Sequence, residues 1–77
     1  MTLANALKAV GLEVEAARAL FPLFHGAHEG YAVILEEMDE LWEEVKRSPR
    51  RPERMIGEAI QVAAMAVRFI ADLSEEP

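Results

Sequence analysis

Cysteine is absent from this chain, so no disulfide staple exists and thiols say nothing about its redox compartment. No apolar run approaches the ~20 residues that a bilayer-spanning helix needs, so no membrane partner is expected. The opening MTLANALKAVGLEVEAARAL carries acidic residues and has no basic segment ahead of an apolar core. It therefore does not read as a signal peptide, and a cytoplasmic protein is the expectation. A basic excess is missing too. The formal net charge is −6, whereas a sequence-independent nucleic-acid binder needs a positive face. Nucleotides stay open as ligands, because a bound metal can invert the local electrostatics. There is no internal repeat, no low-complexity segment and no strand pattern; the apolar residues recur with a helical period.

What the chain does have is apolar surface in a small body. Its 77 residues make a single domain, 1–77, and a chain this short buries only about 60% of the surface that its unfolded form exposes. Yet 52% of the residues are hydrophobic. Association with copies of itself, as a dimer or a tetramer, would turn exposed stripes into a shared core.

The periodicity predicts three helices. The first runs from Leu3 to Leu20, with Thr2 as its N-cap and Leu3, Ala6, Leu7, Val10, Val14, Ala17 and Leu20 as one apolar stripe. Pro22 ends it, and FPLFHGAH connects onward with Phe21 and Phe24 expected in the core. The second helix spans about Ala27 to Arg47. SPRRP breaks the chain again, and Pro52 with Glu53 behind it suits the first turn of a third helix reaching about Leu73. The tail SEEP is expected to fray. The predicted fold class is all-α: a three-helix chain whose second and third helices form an antiparallel hairpin, assembling into an oligomeric bundle of four-helix type.

Charge is concentrated in the second helix. Seven of the fourteen acidic residues lie between Glu29 and Glu44. At about 100° per residue, Tyr31, Ile34, Leu35, Met38, Leu41, Trp42 and Val45 share one side. Glu29, Glu36, Glu40 and Glu43 line the other, with Glu37 and Glu44 beside them. Glu36, Glu37 and Glu40 can aim several oxygens at one point, as a hard cation such as Mg²⁺ requires. The bland alternative is a solvated face supported by a Glu43–Arg47 pair. The third helix is apolar almost all round, which marks a buried helix, and only Arg54, Gln61, Arg68 and Asp72 form a polar strip. Glu58 falls between that strip and Val62, Met65 and Phe69. A carboxylate there is expensive unless it is paired, protonated or bound to metal, the pairing alternative being Arg54 one turn earlier.

Glu36-Glu37-x-x-Glu40, then Glu58 on the next helix, resembles the signature of the MazG-like all-α nucleoside triphosphate pyrophosphohydrolases, a group that includes phosphoribosyl-ATP pyrophosphohydrolases and dimeric dUTPases. That signature is Glu-Glu-x-x-Glu, a spacer and Glu-x-x-Asp. The spacer here, Leu41 to Gly57, has seventeen residues. The resemblance spans residues 28 to 73, and HEGYAVILEEMDELWEEV and EAIQVAAMAVRF look like segments of a small MazG-like subfamily. It implies a Mg²⁺-dependent enzyme, with Mn²⁺ as a substitute, that converts a nucleoside triphosphate to the monophosphate and pyrophosphate. Two metals held by Glu36, Glu37, Glu40 and Glu58 would neutralise the phosphates and activate a water, with Glu37 the base that takes its proton. One position departs: Gln61 stands where the family has aspartate. An amide oxygen still coordinates a cation, with less charge and lower affinity, so Gln61 is either a weaker ligand or the mark of lost hydrolysis. The rival reading is a non-catalytic helical oligomer acting as a structural or protein-interaction module.

Other features have plainer readings. Lys46, Arg47, Arg50, Arg51 and Arg54 supply five of the eight basic residues. They either contact phosphates or complement the end of the second helix. His25 and His28 lack the second histidine of His-Glu-x-x-His, since Ala32 takes that place. The chain also has no Glu-x-x-His pair for a di-iron site. Trp42 and Tyr31 are core or subunit contacts, and Met38, Met55 and Met65 fill gaps in the core.

Overall fold

A computed structural model describes residues 1–74 and consists of three α-helices: α1 (Leu3–Leu20), α2 (Ala27–Lys46) and α3 (Pro52–Ser74). The first begins where Thr2 Oγ1 accepts the Asn5 amide at 3.1 Å. At the start of α2 the Glu29 carboxylate reaches back to the His25 amide (3.2 Å) and to His25 Nδ1 (2.9 Å), which ties this histidine, one residue before the N-cap Gly26, to the first turn. Past α2, the guanidinium of Arg51 grips Glu44 at 3.1 and 2.5 Å and turns the chain into α3, where Pro52 occupies the first turn. Ser74 is still helical; the rest of the tail expected to fray lies outside the described residues.

The helix in the middle is α3. It packs along α2 and against α1, while among the described residues α1 and α2 do not pack on each other. The core is small. Its buried apolar members are Val14 and Ala17 from α1, Phe24 from the connection, and Ala64 and Met65 from α3. Val10, Val33, Ile34, Phe69 and Leu73 close around them. Gly30 is where α2 comes nearest: a Cβ there would stand 2.5 Å from Phe69 Cδ2 and 3.2 Å from Phe24 Cδ2. Only glycine lets both rings slide under the helix.

Several side chains stand elsewhere than expected, chiefly because the buried side of α3 carries its polar strip. Arg68 and Asp72, members of the polar strip, are buried, and Asp72 is fully so. Its carboxylate accepts from Arg18 Nε (3.1 Å), Arg18 Nη2 (2.9 Å) and the Phe24 amide (3.1 Å), with Arg68 Nε at 3.4 Å. Burial alone would raise its pKa; the hydrogen bonds from Arg18 and Phe24 and the two guanidinium charges overcome this and hold it low. Arg68 also donates to the Pro22 carbonyl at 2.8 Å and lies 4.1 Å from the Phe24 ring centroid. This cluster pins the connection between α1 and α2. In consequence Ile56, Val67 and Ile70 are exposed in the single chain and lie outside its core. Tyr31, Leu35, Met38 and Trp42 of α2 are exposed in the single chain as well, while Gly30 is buried and Ile34, Glu37, Leu41 and Glu44 are half-buried; of the two readings of Tyr31 and Trp42, the core contact is the one corrected. Phe21, expected in the core with Phe24, is 58% exposed, since it sits outside the turn that Arg68 fastens.

Candidate functional site

Because α2 turns Glu37 and Glu44 toward α3, carboxylates line the seam between the two helices. Glu37 and Glu40 are one turn apart, and Glu58 faces them from α3. One carboxylate oxygen from each of Glu37, Glu40 and Glu58 can be chosen so that all three lie within 4.8 Å of one another. Glu40 is close enough to raise the pKa of both Glu37 and Glu58. The Oε2 atoms of Glu37 and Glu58 are buried and have no hydrogen-bond partner. Orphaned buried oxygens of this kind are costly.

The electrostatics follow from the crowding. The pKa of Glu37 is pushed up from its usual 4.5 to about 7, first by burial and then by the charge and hydrogen bond of Glu40, with Glu58 and Glu36 adding to it. That of Glu58 is raised by burial, by Glu40 and by Glu44, against a smaller opposing effect of Arg54. Glu44 differs: its hydrogen bonds from Arg51 lower its pKa, because its charge is answered. Among the described residues, the seam thus holds one salt-bridged carboxylate, Glu44, beside three for which no salt bridge is found.

A groove of about 510 Å³ opens next to this cluster, in the gap between α1 and α2. Its floor is α3, with Met65 and Arg68; its apolar walls include Ala17, Leu20, Phe21, Phe24 and Val33. Glu37 and Gln61 lie at its edge, so the cluster and the groove share a border.

Of the residues singled out from the sequence, Glu37, Glu40 and Glu58 are brought together. Gln61 lies on the groove beside Glu37, half-buried. Glu36 is exposed and outside the group, although its charge still reaches Glu37. In the basic loop, Lys46 pairs with Glu43 at 2.9 Å and lies 5.5 Å from the Trp42 ring centroid. Arg51 pairs with Glu44. Two residues at this site were not anticipated as part of it. Arg68 forms the groove floor, and Asp72 fixes it; the available signal was their i,i+4 spacing on an otherwise apolar helix, which equally describes a strip turned inward. No family, curated protein or solved structure matches the chain.

Proposed function

We propose that the chain is a Mg²⁺-dependent nucleotide pyrophosphohydrolase of the MazG-like kind, or a relative of it with reduced activity, acting as a homo-oligomer (dimer or tetramer). The observation that carries this reading is the trio Glu37, Glu40 and Glu58, whose carboxylates converge with no salt-bridge partner among the described residues, while Glu37 and Glu58 each have one buried oxygen without a hydrogen-bond partner. The donor set suits a hard divalent cation: all oxygen, mostly anionic, on two helices. Glu37, Glu40 and Glu58 would hold Mg²⁺ or Mn²⁺, with Gln61 as a neutral neighbour. When bound, such a cation screens triphosphate charge and acidifies a water.

The chain's own residues supply the rest. The apolar groove has room for a nucleoside, and its border with Glu37 would set the phosphates against the carboxylates. In the pattern that the sequence resembles, Glu37 is the base that takes the proton of a water attacking the α-phosphorus. The α–β phosphoanhydride bond breaks, pyrophosphate leaves with its electron pair, and the monophosphate remains. The second reading, a non-catalytic oligomer, draws support from Gln61, which withholds one charge from the cluster.

A panel of nucleoside triphosphates, assayed for pyrophosphate release with Mg²⁺ and with Mn²⁺, separates the two. The enzyme reading expects turnover that is lost in Glu58→Gln. No turnover, together with a melting temperature that magnesium moves no more than an equal ionic strength of sodium does, leaves the scaffold reading.

A further inference from the structure

We infer that the outward face of the α2–α3 hairpin, turned away from the groove, is the surface on which a second copy of this chain docks, giving a two-fold dimer. The inference rests on the reading that the chain self-associates and names the face that does it. On α3 the polar residues Arg54, Glu58, Gln61, Arg68 and Asp72 fall within an arc of roughly 80° at 100° per residue. Ile56, Ala59, Ala63, Val67 and Ile70 fall within the opposite arc. No charged residue of α3 interrupts that second stripe. On α2, Tyr31, Leu35, Met38 and Trp42 follow the i, i+4, i+7, i+11 pattern on the side away from Glu29, Glu36 and Glu40. α2 and α3 pack along each other, so the two stripes run side by side, and Tyr31 and Phe69 line one shallow pocket at the hairpin's edge.

Area identifies the occupant. Tyr31, Leu35, Met38, Trp42, Ile56, Val67 and Ile70 stand between 42% and 66% exposed. Together they present on the order of 800 Å², the share each partner contributes to a standard interface and more than the largest apolar patch of a typical monomer. The shape is self-complementary. A bulky row on α2 runs beside a row of α3 whose middle is small, Ala59 and Ala63. A two-fold axis along the hairpin lays one copy's bulky row on the other's small row, as an isologous interface requires, and the product is a four-helix arrangement. Charge permits it, since the acidic side of α2 points away and copies of net charge −6 meet through neutral surface.

The test compares faces in the full chain. Sedimentation at micromolar concentration should find a dimer for the parent. Val67→Glu, which sets like charges in the dry centre, should raise the dissociation midpoint about 100-fold or more. Leu7→Glu, on the exposed part of α1, should leave the dimer intact. Because Val67→Glu can also fail to fold, single cysteines at Leu35, Ala63 and Val67 are oxidised in a chain that otherwise has none. At least one should form a linked dimer well ahead of Leu12→Cys on α1. A parent that sediments as a monomer at tens of micromolar overturns both self-association and this face. An oligomer dispersed by Leu7→Glu but not by Val67→Glu, or cysteines that link no faster than the α1 control, overturns the face alone.

Discussion

Replacing Glu37 with glutamine removes one charge from the crowded seam while keeping the shape of the side chain, and its consequences can be worked out with their signs. In the folded chain Glu37 titrates near 7 against 4.5 ordinarily. A carboxyl with a raised folded pKa favours the fold fully below its unfolded value and loses that contribution as pH rises through its folded value. The metal-free parent should therefore lose stability between about pH 4.5 and 7. A shift of this size corresponds to about 3 kcal/mol for a fully desolvated group; solvent reaches the groove side of Glu37, and the expected loss is about 1–2 kcal/mol. Each kcal/mol moves the melting temperature of a domain this small by roughly 4–8 °C. In EDTA at pH 8, Glu37→Gln should melt above the parent, and at pH 4.5 the two should nearly coincide. Adding magnesium at pH 8 should reverse the order, because the parent gains RT ln(1 + [L]/Kd) through a site that the variant has weakened. Differential scanning calorimetry across the four conditions provides the readout. A variant no more stable than the parent at pH 8 in EDTA refutes the electrostatic account of the seam. A magnesium shift equal in both proteins refutes the site.

Gln61→Asp adds a carboxylate at the edge of the cluster, so it should lower metal-free stability and enlarge the magnesium-dependent melting shift; titration calorimetry should record tighter binding. Gly30→Ala gains about 1 kcal/mol of helix propensity but drives a methyl into Phe69 and Phe24, at about 1–3 kcal/mol. Urea unfolding should find it less stable, by about 1–2 kcal/mol where the cost is near its upper end. Asp72→Asn takes the anion from two guanidinium groups and should cost about 3–5 kcal/mol, visible as loss of cooperative unfolding. Asp72 has a lowered folded pKa, so its contribution is present above about 3.8 and lost as pH falls further. Set against the opposite trend from Glu37 and Glu58, this places the metal-free stability maximum between roughly pH 4 and 5, and a pH series of melts checks it.

The helices were legible because their signals are local. The bounds of α1 follow from Thr2 and its apolar repeat, and those of α3 from Pro52. So was the convergence of Glu40 and Glu58, since one-turn spacing and a carboxylate on an apolar helix are both visible in one dimension. The direction in which α3 faces was not legible. Periodicity identifies two sides of a helix and does not say which is turned inward when the polar side can satisfy itself. Arg18, Arg68, Asp72 and the Phe24 amide do so across fifty residues of chain, a closure that no local pattern announces. The rotation of α2 has the same origin. Gly30 reads locally as a weakness in a helix, whereas its role is defined by Phe69 and Phe24, which arrive from elsewhere.

That α1 and α2 meet only through α3 has a consequence for the order of events in folding. Synthesis releases α1 and α2 before their common partner exists, so Val14, Ala17, Phe24 and Ile34 lack the surface that completes their core until α3 follows. The turns can form early, because helices form far faster than chains are made. The core cannot: Asp72, which anchors Arg18 and the Phe24 amide, lies near the end of α3. Folding of this domain is therefore a late and single event, triggered when the last turns of the central helix become free to pack.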